Sequence, residues 1–153
     1  MKTVFAIDPG PTESAYAVWD GEKLLDFGKV SNLKMWDRIS EWDDCDSYAC
    51  EMIASYGMAV GKEVFDTCVW IGRFIQITKY DNPRNDMNLV YRKDVKMHLC
   101  NSMKAKDANI IQALKDRFGD KGTKANPGVF YGVSGDVWQA IALAVTVHDK
   151  GAA

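Results

Sequence analysis

Asp8, Glu51 and Asp136 each stand where an isolated carboxylate is unfavourable. Asp8 ends the apolar run VFAI, Glu51 interrupts YACEMI, and Asp136 precedes an Ala-rich apolar stretch. Burying an ionised carboxylate without a partner costs on the order of several kcal/mol. One shared cation accounts for all three acids together. Oxygen ligands with no Cys or His among them point to a hard ion, Mg²⁺ or Mn²⁺. Taken singly, each acid also has a local account. Asp8 caps the turn that Pro9 and Gly10 start, Glu51 pairs with a buried Arg or Lys, and Asp136 sits at the positive end of a helix.

The elements that must position these acids are legible in the patterning. Residues 2–8 read as a strand, closed by the Pro9-Gly10-Pro11 turn. Residues 13–19 alternate as a second strand, Asp20-Gly21 signals a tight hairpin, and residues 22–30 return as a third. Residues 32–42 carry Leu33, Trp36, Ile39 and Trp42 at helical spacing. A fourth strand covers 47–53. A helix covers 62–78, with Val64, Cys68, Ile71 and Ile75 along one stripe. Residues 87–91 form a fifth strand and 92–100 a short helix. An amphipathic helix spans 107–118, with Ile110, Ile111, Leu114 and Phe118 inward and Gly119 as its stop. The last helix covers 135–148, N-capped by Ser134. Three antiparallel strands followed by strand–helix alternation predict an α/β fold with a mixed five-stranded sheet flanked by helices.

Composition sets the frame. With 153 residues, of which 47% are hydrophobic, the chain is read as a single domain, 1–153, with a substantial core. No apolar run reaches the ~20 residues of a membrane span, and the N-terminus reads as a strand and not a signal peptide, so a cytoplasmic location is expected. Cys45, Cys50, Cys68 and Cys100 form no CxxC pair or zinc spacing and are read as reduced, packed thiols. The formal net charge is −2, but it is unevenly spread. Residues 37–51 hold six acids and one Arg, whereas residues 92–106 hold five bases (Arg92, Lys93, Lys96, Lys104, Lys106) and one Asp. That polarity suits a cation in one place and phosphate in another, or two solvated faces.

Several segments resemble a known family. FAIDPGPTESAYAVWD resembles the opening motif of RuvC-type Holliday junction resolvases, members of the ribonuclease H-like superfamily. CEMIASYGMAVGKEVFDTCVWIGRF is similar to the family's second motif, a glutamate at a strand end followed by a Gly-containing loop and an apolar helix. YRKDVKMHLCNSMKAKDANIIQAL matches the layout of its lysine-bearing connection, and VSGDVWQAIALAVTVHD resembles its closing helix. The size and the Asn/Lys-rich loops suggest a phage-encoded branch. IDPGPTES is also similar to the phosphate-binding opening of actin-like ATPases, which need two such domains and a far longer chain.

The resemblance implies a ribonuclease H-like fold and a structure-selective endonuclease that hydrolyses phosphodiesters in four-way or other branched DNA. It implies two Mg²⁺ ions per active site, with Mn²⁺ as substitute and no organic cofactor. Asp8, Glu51 and Asp136 fall on the metal-binding positions, with Asp8 on the central strand bridging both ions. The family places a second acid three residues after the first on the last helix; here that residue is Gln139, a neutral amide that either completes the site or leaves three carboxylates. Asp107 and Asp149 are weaker substitutes, each with an ordinary helix-end reading. Lys104 or Lys106 would neutralise charge on the scissile phosphate. Arg92, Lys93 and Lys96 would hold DNA, and Tyr56 and Met58 lie where the family inserts an apolar side chain near the branch point. The family works as a homodimer, for which the 62–78 helix offers Phe65, Val69, Trp70 and Phe74 outside its main stripe. A broader nuclease for branched DNA or RNA/DNA hybrids, and a non-catalytic junction-binding protein, are the alternatives.

Overall fold

β-Branched and aromatic residues dominate the extended segments, and their alternation sends successive side chains to opposite faces. In the computed structural model, which describes residues 2–151, the elements run β1 (Val4–Asp8), β2 (Glu13–Trp19), β3 (Leu24–Ser31), α1 (Asn32–Glu41), β4 (Ser47–Met52), α2 (Lys62–Asp81), β5 (Met87–Tyr91), α3 (Arg92–Cys100), α4 (Asp107–Phe118) and α5 (Val137–Asp149). The five strands form one sheet in the order β3-β2-β1-β4-β5. β1, β2 and β3 pair antiparallel, while β4 is parallel to β1 and β5 parallel to β4. This is the predicted mixed sheet of a ribonuclease H-like α/β architecture.

The sheet is covered on both faces. Phe5, Ile7, Tyr16, Val18, Tyr48 and Cys50 face α1 and α2, where Met35, Ile39, Ile71 and Phe74 meet them. Val4, Ala6, Ala15, Ala17 and Ala49 face α5. Those small residues oppose Ala140, Ala142 and Ala144, so the last helix approaches closely over β1 and β2. Burying each of the larger α5 side chains, such as Ile141 and Leu143, contributes about 1.5–3 kcal/mol. The helix's one buried polar side chain is satisfied internally, since Thr146 Oγ1 donates to the Ala142 carbonyl at 2.8 Å. Asp149, at the far end, accepts from Arg117 of α4 and bonds His98 of α3, which binds three helices together.

Several sequence expectations need correction. In α1 the buried residues are Asn32, Met35 and Ile39, whereas Leu33 and Trp36 are exposed. In α2 the inner stripe is Thr67, Ile71, Phe74, Ile77 and Thr78, because the helix is rotated relative to the Val64–Cys68 reading. Phe74 is therefore core and not interface; Phe65 and Val69 remain exposed, and Arg73 lies over the Trp70 ring at 4.5 Å. Asp136, not Ser134, is the α5 N-cap, and it adopts helical backbone angles with no capping hydrogen bond from its side chain. Its carboxylate is consequently available to other partners. All four cysteines are free thiols. Among the described residues, no helix is long and apolar enough to cross a membrane.

Candidate active site

Strand parity puts the candidate acids on one face. Asp8 shares the α5 side of β1 with Val4 and Ala6, and Glu51 shares the same side of β4 with Ala49. In the ladder Ile7 stands opposite Cys50, so Asp8 and Glu51 are the next neighbours at the C-terminal ends of two parallel strands. On the other flank Asp8 pairs with Ala15, and Ala15 with Lys29. A single row across the sheet thus reads Glu51, Asp8, Ala15, Lys29, with the start of α5 above it. Sites in open α/β sheets commonly lie outside the carboxyl ends of the strands, as here.

The loop after Asp8 is fixed from below. The Gly10 N–H donates to Ser14 Oγ at 3.1 Å, Ser14 Oγ donates to Asn32 Oδ1 at 2.6 Å, and Asn32 Nδ2 donates to the Gly10 carbonyl at 3.0 Å. A side chain at position 10 would place its Cβ 2.3 Å from the Glu13 carbonyl oxygen, so only glycine fits. Asn32 is buried at the start of α1, and no feature of the sequence marked it as a support for Asp8. Asn32→Ala removes the acceptor of the Ser14 hydroxyl proton and the side-chain donor to the Gly10 carbonyl, and it is expected to cost about 1–3 kcal/mol, measured as a lower urea midpoint with unchanged slope.

The electrostatics of the row are unusual. Burial and the facing Glu51 carboxylate, with a smaller contribution from Asp136, push Asp8 up to about 8; Arg92 pulls it the other way. Asp8 therefore carries a proton that an ordinary aspartate would have lost. Glu51 is largely enclosed, its side chain 18% exposed, and Arg92 Nη1 lies 3.8 Å from Glu51 Oε1. The other arm of Arg92 is bonded to Asp107 at the start of α4. Asp136 is more open and is bonded to Lys29 Nζ at 2.7 Å.

The three predicted acids are therefore gathered unequally. Asp8 and Glu51 meet, and Asp136 lies close enough for its charge to act on Asp8, but its carboxylate is turned to Lys29. Among the described residues, no three His, Cys, Asp or Glu side chains form a ready-made cage. Gln139 lines the narrow crevice beside Glu51 and Arg92 and also the opening shared by Asp107, Lys121 and Asp136, so it stands between the inner and outer acids.

A cleft of about 420 Å³ opens directly beside Glu51. Arg92, Lys93 and Lys96 line it together with Tyr56 and Met103. The basic α3 residues read from sequence thus flank Glu51. Tyr56, at φ 52°, and Met58 are both exposed on the loop between β4 and α2. Lys104 and Lys106 lie exposed on the α3–α4 connection and line neither opening beside the acids. Besides Lys93 and Lys96, two ammonium groups that sequence reasoning missed stand near the acids: Lys121 lines the opening with Asp136, and Lys29 is bonded to Asp136. Lys29 was not detectable, because its place follows from the β2–β3 register and not from local pattern.

No protein-family model matches the sequence, and no curated protein matches it. Among solved structures, the chain is similar to T. thermophilus RuvC in complex with Holliday junction substrate, with a TM-score of 0.75 and 16% identity, covering 97% of this chain and 93% of that one. It is likewise similar to the Thermus thermophilus RuvC structure, with a TM-score of 0.71 and 16% identity over 97% and 96% of the two chains. At that identity the likeness establishes the fold: the chain has the RuvC, ribonuclease H-like fold along nearly its whole length.

Proposed function

We propose that this chain is a divalent-cation-dependent endonuclease that cuts branched DNA, four-way junctions foremost. The observation that carries the reading is the Asp8–Glu51 pair, two carboxyls forced together at the strand ends of this fold and flanked by a basic, aromatic-lined cleft. The structural likeness to a protein bound to a Holliday junction substrate supports the substrate class.

The donor set fits Mg²⁺, with Mn²⁺ as substitute: it is all oxygen, and like charges crowd together where a cation would relieve them. Asp8 on the central strand, Glu51 and Asp136 would hold the ions, Asp136 in place of its bond to Lys29. When bound, the ions supply an activated water and stabilise the leaving 3′ oxygen. The protein's own part is placement. Arg92, Lys93 and Lys96 bind phosphates beside Glu51, which positions the strand without reading sequence. Lys29, once released by Asp136, faces the same region as a free ammonium group. Gln139 donates or accepts at the junction of the two openings, where an amide orients water without adding charge. Tyr56 is placed to stack on an unpaired base at a branch point.

Two symmetric cuts need two sites, so the active species is taken to be a homodimer that uses the exposed Phe65–Val69 side of α2. Replacing both residues with Asp is expected to give a monomer by sedimentation while the circular dichroism spectrum is kept.

The test is incubation of a labelled four-way junction with and without Mg²⁺, mapping product ends on both strands, beside three-way and RNA/DNA hybrid substrates. Paired cuts near the branch point support the reading. Equal cutting of all three substrates indicates a broader nuclease. Tight binding without cutting in either Mg²⁺ or Mn²⁺ indicates a non-catalytic junction binder, the outcome that neutral Gln139 and the Lys29–Asp136 pair would favour.

A further inference from the structure

One positive charge already sits inside the carboxylate group. Arg92 follows β5 two residues after Val90, the ladder partner of Glu51, so it emerges on the face that carries the acids. Its guanidinium touches an inner acid and an outer one. Nη1 lies 3.8 Å from the enclosed Glu51, and Nη2 is bonded to Asp107, whose side chain is 64% exposed. The contact with Asp107 is the tighter of the two. Asp107 in turn shares an opening with Asp136 and Gln139. A guanidinium does not lose its proton in a protein, so Arg92 cannot be neutralised when a second cation arrives. It must either stay and repel that cation or turn away from Glu51.

We propose that Arg92 is a resident counter-ion that competes with the divalent cation for Glu51, and that Asp107 is the post onto which the guanidinium turns when the cation enters. The inference rests on the functional reading above, because it requires a cation at Asp8 and Glu51. It explains how the protein tolerates two crowded carboxyls without metal. It also gives Asp107 a role other than ligand. The movement needs only rotation within the arginine side chain, because the Asp107 contact already exists.

The experiment is a Mn²⁺ titration followed by electron paramagnetic resonance, with no DNA present, on the wild type, R92Q, R92K, D107N and the R92Q/D107N double variant. Thermal melts confirm that each is folded. Removing a unit charge a few ångströms from the ion is expected to tighten Mn²⁺ binding by R92Q on the order of tenfold. R92K keeps the charge and should stay near the wild type. D107N should weaken binding severalfold, because the guanidinium then turns wholly to Glu51. The double variant should bind like R92Q, since Asp107 acts only through Arg92. If D107N weakens binding equally in both backgrounds, Asp107 is a ligand and the proposal is wrong. If R92Q binds no more tightly than the wild type, there is no competition and the proposal is also wrong. Absence of Mn²⁺ binding by the wild type and R92Q alike removes the cation site itself, and with it the functional reading. Binding by R92Q alone supports the competition directly.

Discussion

Asp8→Asn is expected to lower the single-turnover rate of junction cleavage by roughly a thousandfold or more, equivalent to about 4 kcal/mol of transition-state stabilisation, while junction affinity changes by less than about threefold. The two effects should separate because the proposed DNA contacts lie elsewhere. Arg92, Lys93 and Lys96 line the cleft beside Glu51, and Asp8 sits behind them on the central strand. Asparagine is nearly isosteric with the protonated aspartate that the metal-free protein favours, so the fold should accept it. The amide removes the negative charge that the proposed cation site needs from Asp8 beside Glu51 and Asp136. Filter binding in EDTA and a quenched time course in Mg²⁺ measure the two quantities on one preparation. A variant that cuts at the wild-type rate would show that Asp8 is not part of the reacting centre. A variant that loses binding as well would show that its role is in holding DNA.

The second large effect is a pH-dependent stability that divalent cations reverse. Asp8 is raised from the ordinary aspartate value of 3.8 to about 8 by burial and by Glu51. Between those two pH values the folded protein holds a proton that the unfolded chain has released. Stability from this group is therefore greatest at low pH and is lost as pH rises through the folded value. Metal-free protein should melt several degrees lower at pH 8.5 than at pH 5.5, at roughly 2–4 °C per kcal/mol for a chain of this size. A cation bound at the proposed site would take the place of that proton, so Mg²⁺ or Mn²⁺ should raise the melting temperature more at pH 8.5 than at pH 5.5. Asp8→Asn should flatten both dependences, which assigns them to this carboxyl. A cation-induced rise that is equal at both pH values would contradict a proton held on Asp8.

The two predictions use different properties of one row of residues. In the proposed function, cleavage would depend on the charge that Asp8 presents to a cation; stability would depend on how poorly the metal-free site tolerates that charge. Functional sites commonly hold such strained carboxyls, with the surrounding fold supplying the compensation. Here the compensation is visible in the Ser14–Asn32–Gly10 network beneath the loop and in Arg92 beside Glu51. Lys29 plays the same part for Asp136.

Much was determined by the sequence alone. Alternation and turn chemistry specified five strands and their order along the chain, because side-chain period and Pro/Gly/Asp turns are local properties. The runs at 87–91, 92–100 and 107–118 coincide with β5, α3 and α4. Asp8 and Glu51 were conspicuous because a carboxylate inside an apolar run is locally anomalous. Pairing across the sheet is not local, so only the tertiary structure placed Lys29 in the row with Asp8 and tied Arg92 to both Glu51 and Asp107. Helix rotation was likewise decided by packing: Phe74 and Met35 turned inward and Trp36 outward because the sheet face they meet selects among several apolar stripes. The acids could be named from their neighbours along the chain. Which cation each acid meets depended on register and on how closely α5 settles over small residues, both of which arise only when the whole chain folds.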